Sequence, residues 1–419
     1  MNKYFLKITG NDVKNNLINL PQLVFEVTDN CNLRCKYCGY GDLYEGYDPR
    51  GRNNLSFKKA CNILDYLTKL WKDNIDYSLT QPFTLSFYGG EPLMNMKLVE
   101  KIIQYIESLN IKGKKVHFSM TTNGLLLNKH INYLADKKFR LLISLDGNER
   151  DHSYRVDLQG KNSHKQVVEN IGLLQRKYPD YFKKHVDFFT VLHNMNSVES
   201  AHKYIKENFG KETMIAPLNN SGIRKDKMSE FITLFQSKDS SIDNSWNCEK
   251  LEAELFLEAP RTRQLTHFLY NFSGNIFDYY SSLFCDVNKM KITPTGTCTP
   301  FFKKMFITVT GKILQCEKIN HEFALGWVSD DKVDINFDRI AEIANDYIFR
   351  LVRQCKTCAY RNRCSQCVFQ IDEINSSYPK CYGYTSERAF QGKTNEILDY
   401  LSKYPGLYRK IMKDVQIRN

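Results

Sequence analysis

The feature that most constrains the fold is a regular alternation of strand-like and helix-like segments that begins at residue 21. The strand-like runs are LVFEVT (23–28), FTLSFY (83–88), VHFSMT (116–121), RLLISL (140–145), VDFFTVL (186–192) and TMIAPL (213–218). Helical patterns lie between them near 57–72, 95–109, 128–138, 164–177 and 197–208. Strands separated by crossovers of helix length indicate parallel βαβ units. Six such strands predict an α/β fold built as a partial (β/α)6 TIM-type barrel.

Polar or glycine-rich segments accompany the ends of four of these strands. The first strand is followed by TDNCNLRCKYC, the second by GGEP and the third by TNG, and SLDG lies at the end of the fourth. In a barrel of parallel strands, the loops after the carboxyl ends of the strands meet at one face and carry the functional groups. The sequence therefore predicts a site for a small molecule at this face.

The cysteine content predicts metal or redox chemistry. Eleven of the 13 cysteines fall into three local groups, in a chain of 419 residues that is 42% hydrophobic and 25% charged. This balance is typical of a globular protein, and we find neither a membrane-spanning apolar run nor a secretory signal. We therefore expect the cytoplasm, where disulfides are rare. The net charge of +12 is spread over lysines without a nucleic-acid-binding motif, so we expect neither a nucleic-acid nor a membrane partner.

The first cysteine group is Cys31, Cys35 and Cys38, which form Cys-x3-Cys-x2-Cys on a single loop. A structural zinc site normally has four ligands, and no fourth Cys or His lies nearby in the sequence. Three thiolates on a cubane cluster leave one iron without a protein ligand, and the amino and carboxylate groups of S-adenosylmethionine suit that position. An electron from the cluster can then break a carbon–sulfur bond of the cofactor. A zinc site or a disulfide is the alternative.

The cysteine loop, Tyr37 before its third cysteine and GGEP after the next strand together resemble the radical SAM superfamily, over roughly residues 20–220. The resemblance implies a cofactor pocket lined by Tyr37, Gly89, Gly90, Glu91, Thr122, Asn123, Ser144, Asp146, Arg155 and Leu192. It implies that the GGEP residues meet the methionine amino group and that Leu192 packs on adenine. Arg155 would pair with the cofactor carboxylate, because a guanidinium group matches its geometry. A surface ion pair is the alternative for Arg155, and plain core packing for Leu192.

The cysteines near the C-terminus resemble the SPASM domain, a small extension that holds auxiliary iron–sulfur clusters in peptide-modifying radical SAM enzymes. Gly311 is predicted to close a hairpin that places Cys316 at a strand end. The resemblance implies a first auxiliary 4Fe-4S cluster on Cys298, Cys316 and Cys367, with either Cys285 or an open iron completing it. A second 4Fe-4S cluster would take Cys355, Cys358, Cys364 and Cys381, which makes three clusters in all. A zinc module is the alternative, because Cys-x2-Cys pairs are common zinc ligands.

The resemblance implies a radical SAM peptide maturase. Such an enzyme generates a 5′-deoxyadenosyl radical, abstracts hydrogen from a ribosomally synthesised precursor peptide and installs a thioether, C–C or C–O crosslink. Alternatives are a sulfatase-maturating, formylglycine-generating enzyme, a peptide epimerase and, from another class, an iron–sulfur electron-transfer protein. In the sulfatase branch an Asp follows the hairpin cysteine, whereas here Glu317 follows Cys316. Glu317 is our candidate base, and an exposed turn residue is the alternative.

The predicted organisation has five parts. They are a short N-terminal extension (1–20), the partial barrel (21–225), a bridging or substrate region (226–290), the SPASM domain (291–390) and a C-terminal helix (391–419). Because few residues precede the first strand, we expect a leader peptide to bind the barrel, the bridging region or a separate leader-binding protein. A flavodoxin- or ferredoxin-type protein is the expected reductant.

Overall fold

The computed structural model describes residues 7–75, 82–111, 113–272, 298–361, 364, 366–371 and 373–415. The chain forms two compact units. The first, called the sheet unit, comprises residues 8–245 and 298–343. The second, called the C-terminal unit, comprises the described residues of 1–7, 246–297 and 344–419. The domain bounds drawn from the sequence stay a prediction.

Six consecutive parallel strands form the centre of the sheet unit and confirm the predicted α/β fold. They are β1 (Gln22–Thr28), β2 (Phe83–Gly89), β3 (Val116–Thr122), β4 (Arg140–Ser144), β5 (Val186–Leu192) and β6 (Thr213–Pro217). The strands pair in chain order, each parallel to the next. Six of the seven residues of β1 are buried, as expected for a parallel strand covered on both faces.

Helices connect these strands and form where the sequence has apolar residues at helical spacing. Those of the sheet unit are α1 (Gly10–Ile18), α2 (Phe57–Asp73), α3 (Met96–Ser108), α4 (Leu127–Asp136), α5 (His164–Lys177), α6 (Pro179–His185), α7 (Val198–Phe209), α8 (Met228–Leu234) and α9 (Lys238–Asp243). In α2 the buried positions Ala60, Ile63, Leu64, Leu67 and Trp71 recur every three or four residues, which places them on one face. These helices carry the chain back along the sheet between strands, so that β1 to β6 all run in the same direction.

A four-stranded extension completes the sheet on the far side of β1. Strand β7 (Met305–Ile307) pairs parallel to β1, and β8 (Lys312–Leu314), β9 (Gly326–Val328) and β10 (Val333–Asp334) follow in antiparallel order. Gly311 begins the return to β8 with φ of +99°, and a Cβ there would lie 2.1 Å from the Val328 carbonyl oxygen. The turn therefore requires glycine, and the predicted hairpin before Cys316 is confirmed.

The C-terminal unit is helical in its described part. It contains α10 (Cys248–Leu255), α11 (Pro260–Phe272), α13 (Glu387–Lys403) and α14 (Pro405–Asp414), whereas the residues of α12 (Phe337–Thr357) are divided between the units. Leu265 and Leu269 of α11 pack with Ile411 of α14 in a small apolar core. None of the helices in the described ranges has the length and apolar character of a membrane span.

Candidate functional site

The loop after β1 carries Cys31, Cys35 and Cys38, none of which forms a disulfide. Backbone hydrogen bonds hold it against the segment after β4, because the N–H of Arg34 donates to the carbonyl of Val156 (2.8 Å) and that of Lys36 to Tyr154 (3.1 Å). The Cys38 N–H donates to the carbonyl of Cys35 (3.1 Å). The loop is therefore anchored on both sides of its second cysteine.

The three thiols of this loop influence one another electrostatically. Burial raises the pKa of Cys31 to about 11, with smaller contributions from Glu91 and Cys38. Burial also raises the pKa of Cys35 to about 12, with smaller contributions from Cys38 and Cys31. The three predicted cluster ligands are therefore near enough to act on one another, and their role as ligands stays a prediction. A bound cation would oppose these shifts, because it deprotonates a coordinating thiol.

The glycines of GGEP let the loop after β2 lie against the cysteine loop. The Gly90 N–H donates to the Thr28 carbonyl (2.9 Å) and the Glu91 N–H to the Asn30 carbonyl (2.8 Å). A Cβ on Gly90 would lie 2.0 Å from the Asn30 carbonyl oxygen. Gly89 has φ of +143°, and a Cβ there would lie 2.1 Å from the Thr28 carbonyl oxygen. Both positions therefore require glycine.

Glu91 joins the loop after β2 to the loop after β3. Its carboxylate, in a residue only 1% exposed, accepts hydrogen bonds from Thr122 Oγ1 (2.7 Å) and from the backbone N–H of Asn123 (2.7 Å) and Leu93 (3.1 Å). Burial raises the pKa of Glu91 to about 7, although these hydrogen bonds act to lower it. Glu91 thus fixes the positions of two residues that the sequence predicts in the cofactor pocket.

Asn123 connects the loop after β3 to the cysteine loop. Its side-chain Nδ2 donates to Asn32 Oδ1 at 2.8 Å and lies 3.9 Å from Cys31 Sγ. An amide N–H is a suitable donor to a thiolate sulfur. Three of the four loops predicted from the sequence therefore meet at Cys31.

Asp146 is the centre of a buried polar network after β4. Its carboxylate accepts bonds from Arg155 Nε (2.9 Å) and Nη2 (3.2 Å), the Val191 N–H (3.0 Å) and the Tyr37 hydroxyl. Burial acts to raise the pKa of Asp146, but the charge and hydrogen bonds of Arg155 together with His193 and His152 outweigh it and hold the pKa below its usual range. Because this edge of Arg155 is bound to Asp146, its contact with a cofactor carboxylate stays a prediction.

Ser144 and Leu192 complete the set that the sequence predicts for the cofactor pocket. Ser144 ends β4 and is 8% exposed, whereas Leu192 ends β5 with no exposed surface. Both lie at the carboxyl ends of their strands, on the side of the predicted site. The contact of Leu192 with adenine stays a prediction.

His193 belongs to the same network but had no signal in the sequence. Its ring stacks on Tyr37 with centroids 5.2 Å apart, and its Nε2 lies 3.7 Å from Asp146 Oδ2. The residue is completely buried. A single histidine after a strand is not distinctive, so only the packing of β4 against β5 reveals this neighbour of Asp146.

Cys298 and Cys316 lie in the sheet unit on either side of the β7–β8 hairpin. Lys304 Nζ donates to both carboxylate oxygens of Glu317 at 3.1 Å. Burial acts to lower the pKa of Lys304, but Glu317, Cys316 and Cys298 raise it overall, so both thiols lie within electrostatic range of this amine. Burial acts to raise the pKa of Glu317, but the charge and hydrogen bond of Lys304, a backbone hydrogen bond and the charge of Lys318 together lower it. Glu317 is thus ionised and paired, and its role as a base stays a prediction.

Four cysteines of the C-terminal unit lie close together. Burial raises the pKa of Cys355 to about 12, with further contributions from Cys364, Cys381 and Cys358. These are the predicted ligands of the second auxiliary cluster, and that assignment is still a prediction. For the first auxiliary cluster, Cys285 lies outside the described residues, and Cys367 belongs to the C-terminal unit. That ligand set also stays a prediction.

Comparison with known proteins shows which family the chain resembles. Residues 25–205 match the model of the Radical SAM superfamily. This part of the chain is therefore similar to the radical SAM superfamily. This stretch includes the cysteine loop and the other three strand-end segments described above.

Several characterised members of the radical SAM superfamily are similar to this chain. It is 28% identical over 193 residues to the cysteine-type anaerobic sulfatase-maturating enzyme of Clostridium novyi (strain NT), covering 45% of this chain and 48% of the relative. It is 26% identical over 191 residues to the radical SAM cyclopropyl synthase TigE of Paramaledivibacter caminithermalis, covering 41% of this chain and 39% of the relative. The chain thus spans about half the length, or less, of these curated relatives.

A solved structure has the same fold. Native anSMEcpe with bound AdoMet and Cp18Cys peptide matches 93% of this chain and 98% of its own with a TM-score of 0.59 and 18% sequence identity. At this identity the likeness shows the fold. The parallel sheet of the sheet unit thus matches the radical SAM core of that structure, and the cysteine-rich C-terminal region is consistent with a SPASM-type extension.

The superfamily implies S-adenosylmethionine and one 4Fe-4S cluster, and the residues at the cysteine loop fit them. Three free thiols lie on this loop, the amide of Asn123 approaches Cys31, and the glycine backbone of GGEP borders the loop. No group of three or more His, Cys, Asp or Glu in the described residues has the spacing for a single metal ion. A cubane binds each thiolate through a different iron, so its ligands stand farther apart than those of one ion.

Proposed function

We propose that the chain is a radical SAM peptide maturase that installs an intramolecular crosslink in a ribosomally synthesised precursor peptide. The observation that carries the proposal is the meeting of three strand-end loops at Cys31, through Glu91 and Asn123. The relatives support a polypeptide substrate, because a sulfatase-maturating enzyme and a cyclopropyl synthase are among them. When bound, the cluster and S-adenosylmethionine supply a 5′-deoxyadenosyl radical that takes hydrogen from the substrate.

The chain's own residues hold and shield this chemistry. Cys31, Cys35 and Cys38 supply the thiolates, and the backbone of Gly90 and Glu91 fixes their loop. The Asp146–Arg155 pair, both residues less than 9% exposed, closes the side of the site toward β4 and β5. Burial of these groups excludes water, which protects a reactive radical from quenching.

Formation of 5′-deoxyadenosine tests the first half of the proposal. Wild-type protein, reconstituted without oxygen and supplied with a reductant and S-adenosylmethionine, should release this product. The variant with Cys31, Cys35 and Cys38 all changed to Ala should release none, because no thiolate remains to hold the cluster. Cys61→Ala is the matched control, since Cys61 lies on α2, away from the three cysteine groups. Product from the triple variant would refute the site assignment.

Mass spectrometry of a co-expressed candidate precursor peptide tests the second half. A crosslink removes two hydrogen atoms from the peptide, whereas epimerisation leaves its mass unchanged. An electron-transfer protein would cleave no S-adenosylmethionine and leave the peptide unaltered. The expected result is the loss of two hydrogens for each crosslink, in wild type only.

The auxiliary clusters are a separate part of the proposal with a separate measurement. Three 4Fe-4S clusters require about 12 iron atoms for each chain. The grouping of Cys355 with Cys358, Cys364 and Cys381 supports the second auxiliary site. A content of about four irons with two zinc ions would replace both auxiliary clusters by the zinc alternative.

Oxidation of a sulfatase residue to formylglycine is the second candidate function. One specific observation favours it, because an ionised carboxylate, Glu317, directly follows Cys316 and lies beside it, with its Oε2 3.5 Å from the sulfur. Incubation with a Cys-containing sulfatase peptide would decide between the two functions, because only the second function converts the cysteine of that peptide to formylglycine. Formylglycine in wild type, and its loss in Glu317→Gln, would favour this second function.

A further inference from the structure

Arg50 presents one edge of its guanidinium group without a partner. Its Nη1 donates to the Asp29 carbonyl (2.7 Å), and its Cζ lies 3.7 Å from the centre of the Tyr40 ring. Nε and Nη2 are shielded from solvent, yet neither has a hydrogen-bond partner in the described part of the chain. Buried donors are almost always bonded in native proteins. Two adjacent unpaired donors therefore indicate an acceptor that the described residues do not supply.

Arg155 shows which group the Nε–Nη2 edge of a buried guanidinium binds in this protein. Its Nε and Nη2 donate side-on to the two oxygens of Asp146 at 2.9 and 3.2 Å. Side-on binding of a carboxylate through two parallel bonds is the geometry for which the guanidinium fork is best suited. Arg50 directs the same two nitrogens to a place where no such carboxylate is bonded.

Glu26 lies next to this edge but does not satisfy it. Its Oε1 is 3.6 Å from Arg50 Nη2, which is too long for a hydrogen bond. Its Oε2 accepts the N–H of Val309 at 3.0 Å, and this bond ties the carboxylate to the β7–β8 hairpin. Burial raises the pKa of Glu26 to about 7, although Arg50 acts to lower it. The positive charge of Arg50 is therefore only partly compensated near neutral pH.

Two further polar atoms beside Arg50 also have no partner. The Tyr40 hydroxyl, whose ring lies against the guanidinium, and Asp29 Oδ1, whose residue binds Arg50 through its carbonyl, are both shielded from solvent and unbonded in the described residues. The unbonded polar atoms around Arg50 are thus two N–H donors, a hydroxyl and a carboxylate oxygen. A peptide segment that bears a carboxylate offers both the acceptors and the N–H donor for this set.

Arg50 contacts Glu26 and Asp29 of the β1 segment, next to β7. Of the predicted cofactor residues, Tyr37 lies on the same loop after β1, and the others lie at or after the ends of β2, β3, β4 and β5. None of them bonds the Nε–Nη2 edge of Arg50 in the described part of the chain. We propose that the Nε–Nη2 edge of Arg50 binds a carboxylate of the peptide substrate. The identity of the ligand rests on the proposed function, but the presence of a carboxylate site does not.

Two matched probes test the proposal. N-acetyl-glutamate N-methylamide carries a carboxylate on a peptide backbone, and N-acetyl-glutamine N-methylamide is its neutral counterpart. Affinities are measured by calorimetry on the reconstituted protein, for wild type, Arg50→Lys and the control Arg52→Lys. Arg52 lies two residues away and is exposed, so Arg52→Lys makes the same substitution outside the proposed site. Lysine keeps the charge but has no side-on pair of donors.

We expect wild type and Arg52→Lys to bind the glutamate probe at least about tenfold more tightly than the glutamine probe, since a charge-assisted hydrogen bond contributes at least this factor. Arg50→Lys should lose the discrimination while keeping the melting temperature of Arg52→Lys. Equal affinity of wild type for both probes, binding of neither, or unchanged discrimination in Arg50→Lys would overturn the proposal. Displacement of the glutamate probe by S-adenosylmethionine would also overturn it, because the edge would then belong to the cofactor. Release of 5′-deoxyadenosine, measured separately, reports on the proposed function alone.

Discussion

The replacement Glu91→Gln gives the sharpest test of how the site is built. Glu91 is 1% exposed, and its carboxylate accepts three hydrogen bonds, two of them from backbone N–H groups. Glutamine keeps the shape and one acceptor oxygen, but it puts an NH2 group where the second oxygen accepts a bond. One buried donor then loses its acceptor, which costs about 1–3 kcal/mol.

The pKa of Glu91 adds a pH dependence that the amide cannot have. Burial raises this pKa from 4.5 to about 7 in the folded chain, which corresponds to about 3 kcal/mol, at about 1.36 kcal/mol for each factor of ten. A raised pKa means that the unfolded chain ionises first as the pH rises. The stability from this group is thus fully present below pH 4.5 and is lost as the pH rises through about 7.

Urea unfolding of the cluster-free protein at several pH values between 5 and 8 measures both the cost of the lost hydrogen bond and the pH dependence that comes from the pKa of Glu91. At pH 5, Glu91→Gln should be less stable than wild type by about 1–3 kcal/mol, and the difference should shrink by up to about 3 kcal/mol by pH 8. Glu396→Gln, at an exposed position of α13, controls for the amide substitution itself. A difference between wild type and Glu91→Gln that stays constant with pH would refute the reasoning.

Three further predictions follow from the same contacts. Gly90→Ala should lose about a third of its iron on reconstitution, the share of one cluster in three, because its Cβ would lie 2.0 Å from the Asn30 carbonyl oxygen. Gly39→Ala, whose Cβ meets nothing within 4 Å, should keep wild-type iron, and equal iron in both variants would contradict the close packing of the two loops. Asp146→Asn should destabilise the chain by about 3–5 kcal/mol in thermal unfolding, because it leaves the buried charge of Arg155 without its partner. An effect below about 1 kcal/mol would show that another group compensates the charge of Arg155. In cluster-free protein the alkylation rate of Cys31 should rise with pH to a midpoint near 11, since the thiolate is the reactive form. A midpoint at or below 9 would show that burial does not raise the pKa of this thiol.

The strands and the loops after them could be predicted from the sequence because their signals are local. The run LVFEVT predicted β1 to within one residue, and the helix pattern at 164–177 coincides with α5. GGEP and TNG directly follow such strands, so parallel topology alone places them at one face. The same reasoning placed Asn123 and Glu91 at the cysteine loop, although it could not show that Glu91 is the link between them.

Contacts between segments distant in sequence could not be predicted in this way. The three residues of β7 are too few for a periodic pattern, and their pairing with β1 joins positions about 280 residues apart. Arg155 was predicted to bind the cofactor because a free guanidinium suits a carboxylate, and only the structure shows that Asp146 already uses that edge. Arg50 lies in a polar loop without any motif, so its packing on Tyr40 had no signal.

Four buried acidic groups around the cysteine loop have raised pKa values, and this favours cationic ligands. Burial raises the pKa of Glu26, Glu91, Cys31 and Cys35, so each group resists negative charge in the ligand-free chain. The positive charge of Arg155 is compensated by Asp146, which leaves Arg50 as the partly compensated cation that acts on both Glu26 and Cys31. Iron ions and a sulfonium group would both supply the missing positive charge. The buried acidic groups would therefore ionise when such ligands bind, so that ligand binding and loss of protons from these groups are coupled.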